Sequence, residues 1–349
     1  MHRRTGTLVL AVCLLAGSSL RAAGQDDPHS VLGRITDRIQ RETSYQLVDT
    51  CTSRRFPVDS LSVVSPSVRI VSDYNDWTYF MGVVLSGMMR SSEVTGDDRL
   101  RDYGTRNFDF IFSCLPYFQE QWEVLQARRA SYYRVFRMNM LDDCGAMGAA
   151  LIDAYRRKQD ERYLRMIRKI ANYISTVQLR LDDGTLARPD PRYMTLWADD
   201  LYMSVPFLVR MGGLTGEVRY YDDAARQVTG FLSRLTDPAT GLLRHAWFSD
   251  SKSVSVASWG RANGWAIMAQ AELLRHLPRD HAMRDSLEKL FVRHLTALCR
   301  FQDASGLWHQ VLNHPESYLE TSCSAMFCYG LAYGVNTGLL GREYSDAAR

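Results

Sequence analysis

The hydrophobic pattern of this chain alternates between segments that are apolar nearly all round and segments that are apolar on one face only. The first pattern is typical of a buried helix and the second of a surface helix. The apolar segments begin near Asp76, Asp142, Trp197, Trp259 and Tyr318, and the more polar segments span residues 101–113, 160–175, 218–232, 285–298 and 342–349. This couple recurs five times with a period of roughly 60 residues, which predicts an array of alternating buried and exposed helices.

Short turn sequences separate the helical couples and precede the buried helices. Gly- and Asp-containing turns occur at residues 182–186, 237–242 and 303–308. These loops and the starts of the buried helices should share one end of the molecule, where a cleft would form. Such couples can stack into an open solenoid or close into a ring. The aromatic and polar residues at the start of each buried helix favour closure, so we predict an all-α fold, an (α/α)6 barrel.

The regions outside the repeats set the expected domain organisation. Residues 31–41 are predicted to form an amphipathic helix, and residues 51–69 are polar and irregular. Five couples are visible where six would close the barrel, so the last helical pair is expected to be truncated. Residues 1–24 combine early positive charge, a short apolar core and small residues, which predicts a signal peptide without a membrane anchor. We expect an exported protein, periplasmic or secreted, with one barrel domain over residues 25–349.

Charge and motif content exclude several classes of function. The net charge of +3 is close to neutral for a chain of this size, so the sequence gives no indication of nucleic-acid binding. The sequence has no P-loop, dinucleotide fingerprint or Gly-x-Ser-x-Gly elbow. The six cysteines after residue 13 form no CxxC pair, which indicates buried free thiols or an occasional disulfide rather than zinc. His309 and His314 lack an obvious third ligand, so no metal site is predicted. The sequence carries no signal of oligomeric state.

The segment from Ser258 to Trp265 concentrates two tryptophans, one arginine and two glycines ahead of an apolar helix. Ser258 is a plausible N-cap, and Arg261 and Trp265 are then four residues apart on one helix face. A guanidinium beside indole rings would suit a planar anionic sugar, through bidentate pairing with its carboxylate and stacking on the ring. The alternative is that both tryptophans belong to the core and Arg261 is a solvated capping residue.

Two adjacent aspartate pairs precede buried helices, Asp142-Asp143 and Asp199-Asp200. Their simplest role is N-capping. One residue suffices for a cap, however, and two carboxylates from different helices facing one pocket are the arrangement used in glycoside hydrolysis. His245 follows a loop at the same end of the array, where it could be structural or could hydrogen-bond a sugar.

Five motifs occur along the chain in the order Asp76-Trp77-Thr78-Tyr79-Phe80-Met81-Gly82, Leu141-Asp142-Asp143-Cys144-Gly145, Trp197-Ala198-Asp199-Asp200-Leu201-Tyr202-Met203, Trp259-Gly260-Arg261-Ala262-Asn263-Gly264-Trp265 and Leu319-Glu320-Thr321-Ser322. Together they resemble glycoside hydrolase family 105, the unsaturated rhamnogalacturonyl hydrolases, and more distantly the unsaturated glucuronyl hydrolases of family 88. The resemblance covers about residues 70 to 340. It implies an (α/α)6 barrel that acts on oligosaccharides with a 4,5-unsaturated uronic acid at the nonreducing end.

The resemblance also implies a mechanism and a set of site residues. In this family an aspartate protonates the vinyl ether double bond, water adds at carbon 5, and the hemiketal opens to release the neighbouring sugar. Asp199 matches the general acid and base, and Asp143 matches a second aspartate that helps to hold the substrate. The matching substrate-contacting positions are Trp197, Met203, His245, Trp259, Arg261 and Trp265, with Arg261 on the uronate carboxylate. No metal or cofactor is required.

Two other functions remain open from the residues themselves. A conventional inverting glycosidase on the same barrel would use two carboxylates around a water and would cut saturated substrates. A non-catalytic carbohydrate-binding protein would bind without turnover. The sugar next to the uronate is also open, with rhamnose as the commonest answer in the family.

Overall fold

The computed structural model describes residues 27–57, 64–125 and 130–348. The predicted signal peptide, residues 1–24, lies outside these ranges. The backbone groups into two compact units, an N-terminal unit, Ser30–Tyr173, and a C-terminal unit that holds Ile174–Arg349. In the described ranges no helix is long and apolar enough to cross a membrane.

The N-terminal unit packs a buried helix against two others. Its elements are α1 (Pro28–Glu42), β1 (Leu47–Asp49), β2 (Arg55–Phe56), β3 (Val68–Ile70), α2 (Tyr79–Thr95), α3 (Asp98–Val124), α4 (Tyr133–Arg137), α5 (Gly145–Arg157) and α6 (Glu161–Asn172). Helix α2 packs against both α3 and α5. The strands form an antiparallel sheet in the order β2-β1-β3, so the prediction of an irregular segment over residues 51–69 was wrong at β2 and β3.

The C-terminal unit repeats the buried and exposed alternation. Its elements are β4 (Thr195–Trp197), α7 (Val205–Thr215), α8 (Val218–Leu235), β5 (Ala246–Phe248), β6 (Ser253–Val254), α9 (Gly260–His276), α10 (Arg284–Cys299) and α11 (Thr321–Asn336). Helix α9 packs against α7 and α11 and buries every side chain from Ala262 to Leu274. Helices α8 and α10 bury one face only, as the polar pattern predicts. Residues 342–345 form a 3-10 turn instead of the predicted helix.

Three turns of the C-terminal unit share one local chemistry. Residue pairs that flank each turn form single β-bridges, Arg180 with Leu186, Thr236 with Leu243 and Gln302 with Trp308. In each turn an aspartate oxygen accepts a hydrogen bond from the backbone N–H two residues later, as seen for Asp183, Asp237 and Asp303. A glycine with positive φ follows within four residues. These are the turns that the sequence predicts, because aspartate and glycine stabilise tight chain reversal.

Small residues let the buried helices approach closely. A Cβ added to Gly264 in α9 would lie 2.4 Å from the sulfur of Met326 in α11. A Cβ on Gly82 in α2 would lie 2.4 Å from the backbone of Ala146 in α5. Both glycines are therefore required by helix packing, and any larger residue would push the helices apart.

The second sheet was missed by the sequence analysis. Strands β4, β5 and β6 pair antiparallel in that order, with Trp197 opposite Ala246 and Trp247 opposite Val254. Each strand has only two or three residues, which is too short for alternation of polar and apolar positions to be recognised. The sheet matters because it carries the residues of the candidate site.

Candidate active site

Asp199 lies in a short turn that follows strand β4 and is hydrogen-bonded to the backbone of His245. Strand β4 ends at Trp197, and a 3-10 turn over Ala198–Leu201 follows it before α7 begins. The N–H of Ala198 donates to the carbonyl oxygen of His245 at 2.9 Å. The pairing of β4 with β5 therefore brings Asp199 and His245, which are far apart in sequence, onto neighbouring backbone positions.

The side chains of Asp199 and His245 face each other. Nε2 of His245 lies 3.1 Å from Oδ2 of Asp199, and the two side chains are 26% and 15% exposed. Within the described ranges neither atom makes a hydrogen bond of good geometry, although both are shielded from solvent. Buried polar atoms in proteins are nearly always satisfied. A shielded carboxylate and imidazole with unused hydrogen-bonding capacity are thus suited to a ligand.

Aromatic rings and guanidinium groups form a continuous row around this pair. The ring of His245 lies 5.1 Å from that of Trp197 and 5.0 Å from that of Trp259. The guanidinium of Arg188 stacks 4.3 Å from the Trp197 ring, and that of Arg261 stacks 4.3 Å from the Trp259 ring. We call these five residues the aromatic row. The guanidinium groups over the indole rings, and the tilted and edge-on contacts of His245, hold each ring in one orientation beside Asp199.

The two adjacent aspartates of this segment have different environments. Asp200 is 1% exposed, and its Oδ2 accepts a hydrogen bond from Nε of Arg188 at 2.8 Å. Asp199 is only partly buried and faces His245. Neither aspartate caps α7, whose N-cap residue is Ser204. The simple N-capping interpretation is therefore wrong for this pair, because one carboxylate is an ion-pair partner and the other is available to the site.

Arg261 is neither a solvated capping residue nor an isolated cation. It is 12% exposed, and its Nη1 donates to Oε1 of Glu320 and, at 3.4 Å, to the hydroxyl oxygen of Ser322. The helix that carries it begins at Gly260, with Trp259 as the N-cap residue. The prediction that Ser258 caps this helix was wrong, since its hydroxyl has no hydrogen-bond partner in the described ranges.

Two predicted contact residues lie in the core instead of at the surface. Trp265 is 2% exposed and its ring contacts that of Tyr202 at 5.1 Å. Met203 is 1% exposed. The alternative that both tryptophans belong to the core is therefore correct for Trp265, whereas Trp259 is half-buried in the aromatic row. Of the eight predicted site residues, the structure gathers Trp197, Asp199, His245, Trp259 and Arg261 into one cluster.

Asp143 lies in the N-terminal unit, within a cage of cationic and backbone donors. Its side chain is fully buried, and Arg137 donates to both carboxylate oxygens, at 2.5 and 3.2 Å. The N–H of Asn139 adds a third bond at 3.1 Å, and Arg134 approaches to 3.7 Å. It does not cap α5, whose N-cap residue is Cys144. The role of Asp143 towards a substrate stays a prediction.

Asp76, in the same unit, is a second buried carboxyl. Burial raises its pKa, while the N–H of Trp77 and the charge of Arg134 oppose that rise. The indole N–H of Trp77 donates to the carbonyl oxygen of Asp143 at 2.7 Å. The first two family motifs thus meet through Trp77, which fixes the backbone beside Asp143.

Asn263 is the internal support of the Trp259–Trp265 segment. Its side chain bonds both backbone groups of Leu243 and the carbonyl oxygen of Trp259. Its Oδ1 also lies 3.0 Å from Nε2 of His294, whose Nδ1 is 3.1 Å from the amide nitrogen of Gln270. A neutral His294 that carries its proton on Nε2 satisfies both contacts, because the amide donates to Nδ1.

The buried His294 predicts acid sensitivity of the fold. Burial lowers its pKa from 6.5 to about 3. Between these values the unfolded chain binds a proton that the folded chain excludes, so the free energy of unfolding falls as the pH falls, by up to about 1.4 kcal/mol per pH unit. Urea unfolding of the wild type and of His294→Gln at about pH 7 and about pH 5 measures this. The variant should lose less stability over that interval.

His314→Gln is the matched control for this measurement, because it removes a half-exposed histidine and leaves the buried His294 in place. Equal slopes for the wild type and His294→Gln would contradict the assignment.

Sequence reasoning missed several members of the site. Glu320 belongs to the last of the five family motifs and has no role predicted from the sequence, although it precedes a buried helix just as the two aspartate pairs do. That shared position was the available signal. Arg188 is a single arginine in an irregular segment, where no sequence signal marked it as a site residue. In the described ranges no group of three or more His, Cys, Asp or Glu residues is placed to hold a metal ion, and all six cysteines there are free.

Comparison with known proteins assigns the fold class. A solved glycoside hydrolase of family 105 from C. acetobutylicum ATCC 824 matches with a TM-score of 0.67 and 27% identity, over 79% of this chain and 76% of that chain. The all-α (α/α)6-barrel class predicted from the helical couples is confirmed.

Curated relatives cover part of the chain. An unsaturated rhamnogalacturonyl hydrolase of Bacillus subtilis is 34% identical over 186 residues, which are 52% of this chain and 54% of that protein. An unsaturated 3S-rhamnoglycuronyl hydrolase of Formosa agariphila is 31% identical over 163 residues, which are 44% of this chain and 43% of that protein. The chain thus spans about half the length of these relatives.

The family is given by a model that matches most of the chain. The model described as Glycosyl Hydrolase Family 88 matches residues 58–349, which include residues 58–173 of the N-terminal unit, Ile174–Arg349 and the whole aromatic row. Together with the family 105 structure, this match confirms the resemblance seen in the motifs. The protein belongs to Glycosyl Hydrolase Family 88 and is similar to a solved family 105 enzyme.

Proposed function

We propose that this protein hydrolyses oligosaccharides whose nonreducing end is a 4,5-unsaturated uronic acid, and that Asp199 is its general acid and base. The proposal rests on the Asp199–His245 pair. The two facing atoms of this pair have unused hydrogen-bonding capacity, and the pair lies within the cluster formed by the aromatic row. A carboxyl group in such a place can exchange a proton with a sugar stacked on the neighbouring rings.

The proposed reaction begins with protonation of the double bond. Asp199 in its acid form donates a proton to carbon 4, which leaves an oxocarbenium-like cation at carbon 5. Water adds at carbon 5 and gives a proton to the Asp199 carboxylate. The resulting hemiketal opens, the glycosidic bond breaks, and the neighbouring sugar leaves. His245, 3.1 Å from Asp199, orients the carboxyl group, and Arg261 pairs with the uronate carboxylate.

We further propose that the substrate is a fragment of rhamnogalacturonan produced by a lyase, with unsaturated galacturonic acid as the released sugar. Both curated relatives are named for unsaturated uronyl substrates, but they differ in the sugar that the name gives. The class of the terminal sugar is therefore better supported than the identity of its neighbour. Export through the signal peptide, to the periplasm or the medium, would place the enzyme where such fragments arise.

The ultraviolet absorbance of the conjugated double bond provides a direct test. Mixing the purified protein with lyase-digested rhamnogalacturonan should remove this absorbance, because hydration destroys the conjugation. The matched saturated oligosaccharide should stay intact. Cleavage of the saturated substrate would identify a conventional inverting glycosidase instead. Binding of both oligosaccharides without turnover would identify a carbohydrate-binding protein.

A further inference from the structure

Arg261 is held by one of its terminal nitrogens only. Nη1 donates to Oε1 of Glu320 and to the hydroxyl oxygen of Ser322. In the described ranges Nε and Nη2 make no hydrogen bond to protein, while the flat face of the guanidinium lies on Trp259. The Nε–Nη2 edge is one of the edges that pair with a carboxylate through two parallel hydrogen bonds. This edge therefore has no hydrogen-bonded protein partner in the described ranges.

The side chain of Glu320 has Arg261 as its ion-pair partner and Ser322 as its second hydrogen-bond partner. It lies directly before α11 and is 5% exposed. Its Oε1 accepts hydrogen bonds from Arg261 and from the hydroxyl of Ser322, whereas its buried Oε2 has no hydrogen-bond partner in the described ranges. A buried carboxylate with one unsatisfied oxygen is costly to keep. Its ion pair with Arg261 is the compensating contact, so loss of Glu320 acts chiefly through Arg261.

The other groups near the pair do not replace this contact. Burial, and after it the negative charge of Glu320, raises the pKa values of the Tyr318 phenol and the Cys323 thiol, which keeps both groups neutral. Arg261 is therefore the cation that neutralises Glu320 from α9, and Ser322 supplies a neutral donor from α11. With Glu320 removed, the guanidinium would lose its counter-charge and its fixed orientation together.

We propose that Glu320 is the positioning residue for carboxylate recognition: by holding Nη1 of Arg261 it presents the Nε–Nη2 edge to the uronate carboxylate of the substrate. This inference rests on the proposed function and deepens it. Pre-organisation of a recognition group raises affinity because less ordering is needed on binding. Loss of Glu320 should consequently weaken substrate binding and leave the chemical step at Asp199 nearly unchanged.

Steady-state kinetics of Glu320→Ala and Glu320→Gln test the proposal. The alanine variant should raise KM by about tenfold or more while kcat changes less than about threefold, the pattern of lost binding that is equal in the ground and transition states. The glutamine variant should lie within about threefold of the wild-type KM, because its amide oxygen still accepts the Nη1–H bond. A fall in kcat at unchanged KM, or no change for alanine, would overturn the assignment.

A double-mutant cycle separates positioning from general stability. In an Arg261→Met background, Glu320→Ala should have no further effect on KM, because the two residues act as one unit. Equal and additive effects would overturn the proposal. Glu288→Ala is the control for removal of an arginine partner, since Glu288 pairs with Arg284 at 2.8 Å on the outer helix α10. It should leave KM and kcat unchanged.

Binding measurements keep this test independent of the reaction. Calorimetric titration with free galacturonate, a saturated uronate, reports the carboxylate contact without turnover. Wild type and Glu320→Gln should bind with similar affinity, and Glu320→Ala should bind about tenfold more weakly. If the wild type shows no turnover, the proposed function fails while this comparison still decides the role of Glu320. Equal affinities in all three folded proteins would reject the positioning role.

Discussion

Replacing Asp199 with asparagine should abolish measurable turnover and leave the fold intact. Asparagine keeps the size of the side chain but cannot donate and recover a proton, and loss of a general acid typically costs about 10²–10⁴ in rate. Stability should change little, because the Oδ2 atom that faces His245 makes no hydrogen bond of good geometry within the described ranges. The measurement is kcat from the loss of double-bond absorbance, together with thermal unfolding of both proteins.

Substrate binding by Asp199→Asn distinguishes chemistry from recognition. Affinity for the unsaturated oligosaccharide should stay within a modest factor of wild type, because the aromatic row and Arg261 are unchanged. Retention of more than about a tenth of wild-type kcat would remove Asp199 from the role of general acid. A protein that unfolds at a much lower temperature would show that this carboxylate is structural.

Replacing the adjacent Asp200 with asparagine should instead destabilise the protein by about 3–5 kcal/mol, the usual cost of breaking one side of a buried ion pair. Asp200 and Arg188 are 1% and 6% exposed, with Oδ2 and Nε 2.8 Å apart. The variant removes the carboxylate charge that lies 2.8 Å from the buried guanidinium of Arg188. Because that guanidinium also stacks on Trp197, the end of the aromatic row should loosen. Urea unfolding at neutral pH measures the change.

Asp250→Asn is the matched control for Asp200→Asn. Asp250 pairs with Arg192 at 2.5 Å, a shorter distance than in the buried pair, but both side chains are about half exposed. Exposed ion pairs contribute little to stability, so this variant should unfold like the wild type. If both variants have the same free energy of unfolding, burial does not determine how much the Arg188–Asp200 ion pair contributes to stability.

Replacement of Asp199 should thus affect turnover, whereas replacement of its neighbour Asp200 should affect stability. In the sequence, only the family motif distinguishes the two aspartates. Their side chains leave a 3-10 turn in different directions. One meets Arg188 in the interior, and the other meets His245 at the partly exposed face of the aromatic row. Direction along a short turn depends on the backbone torsions, which the surrounding sheet imposes.

Much of the fold could be predicted from local patterns. All-round apolar composition identified helices such as α9, and the Asp and Gly positions identified the turns before Leu186, Leu243 and Trp308. Helix periodicity is a strong signal because it accumulates over several turns. It failed where segments were short, as in β4 to β6, and at helix ends: α3 extends to Val124, well past the predicted end at residue 113. In such places tertiary contacts outweigh local preference.

The sequence by itself determined the alternation of buried and exposed helices, the turn chemistry and the motifs that identify the family. These depend on residues close together along the chain, so composition and spacing carry the information. Only the tertiary structure decided that Trp265 is a core residue, that Asp200 pairs with Arg188, and that Glu320 lies against Arg261. Each of these depends on which long-range neighbour shields or neutralises a side chain, and burial and charge pairing are properties of the packed chain.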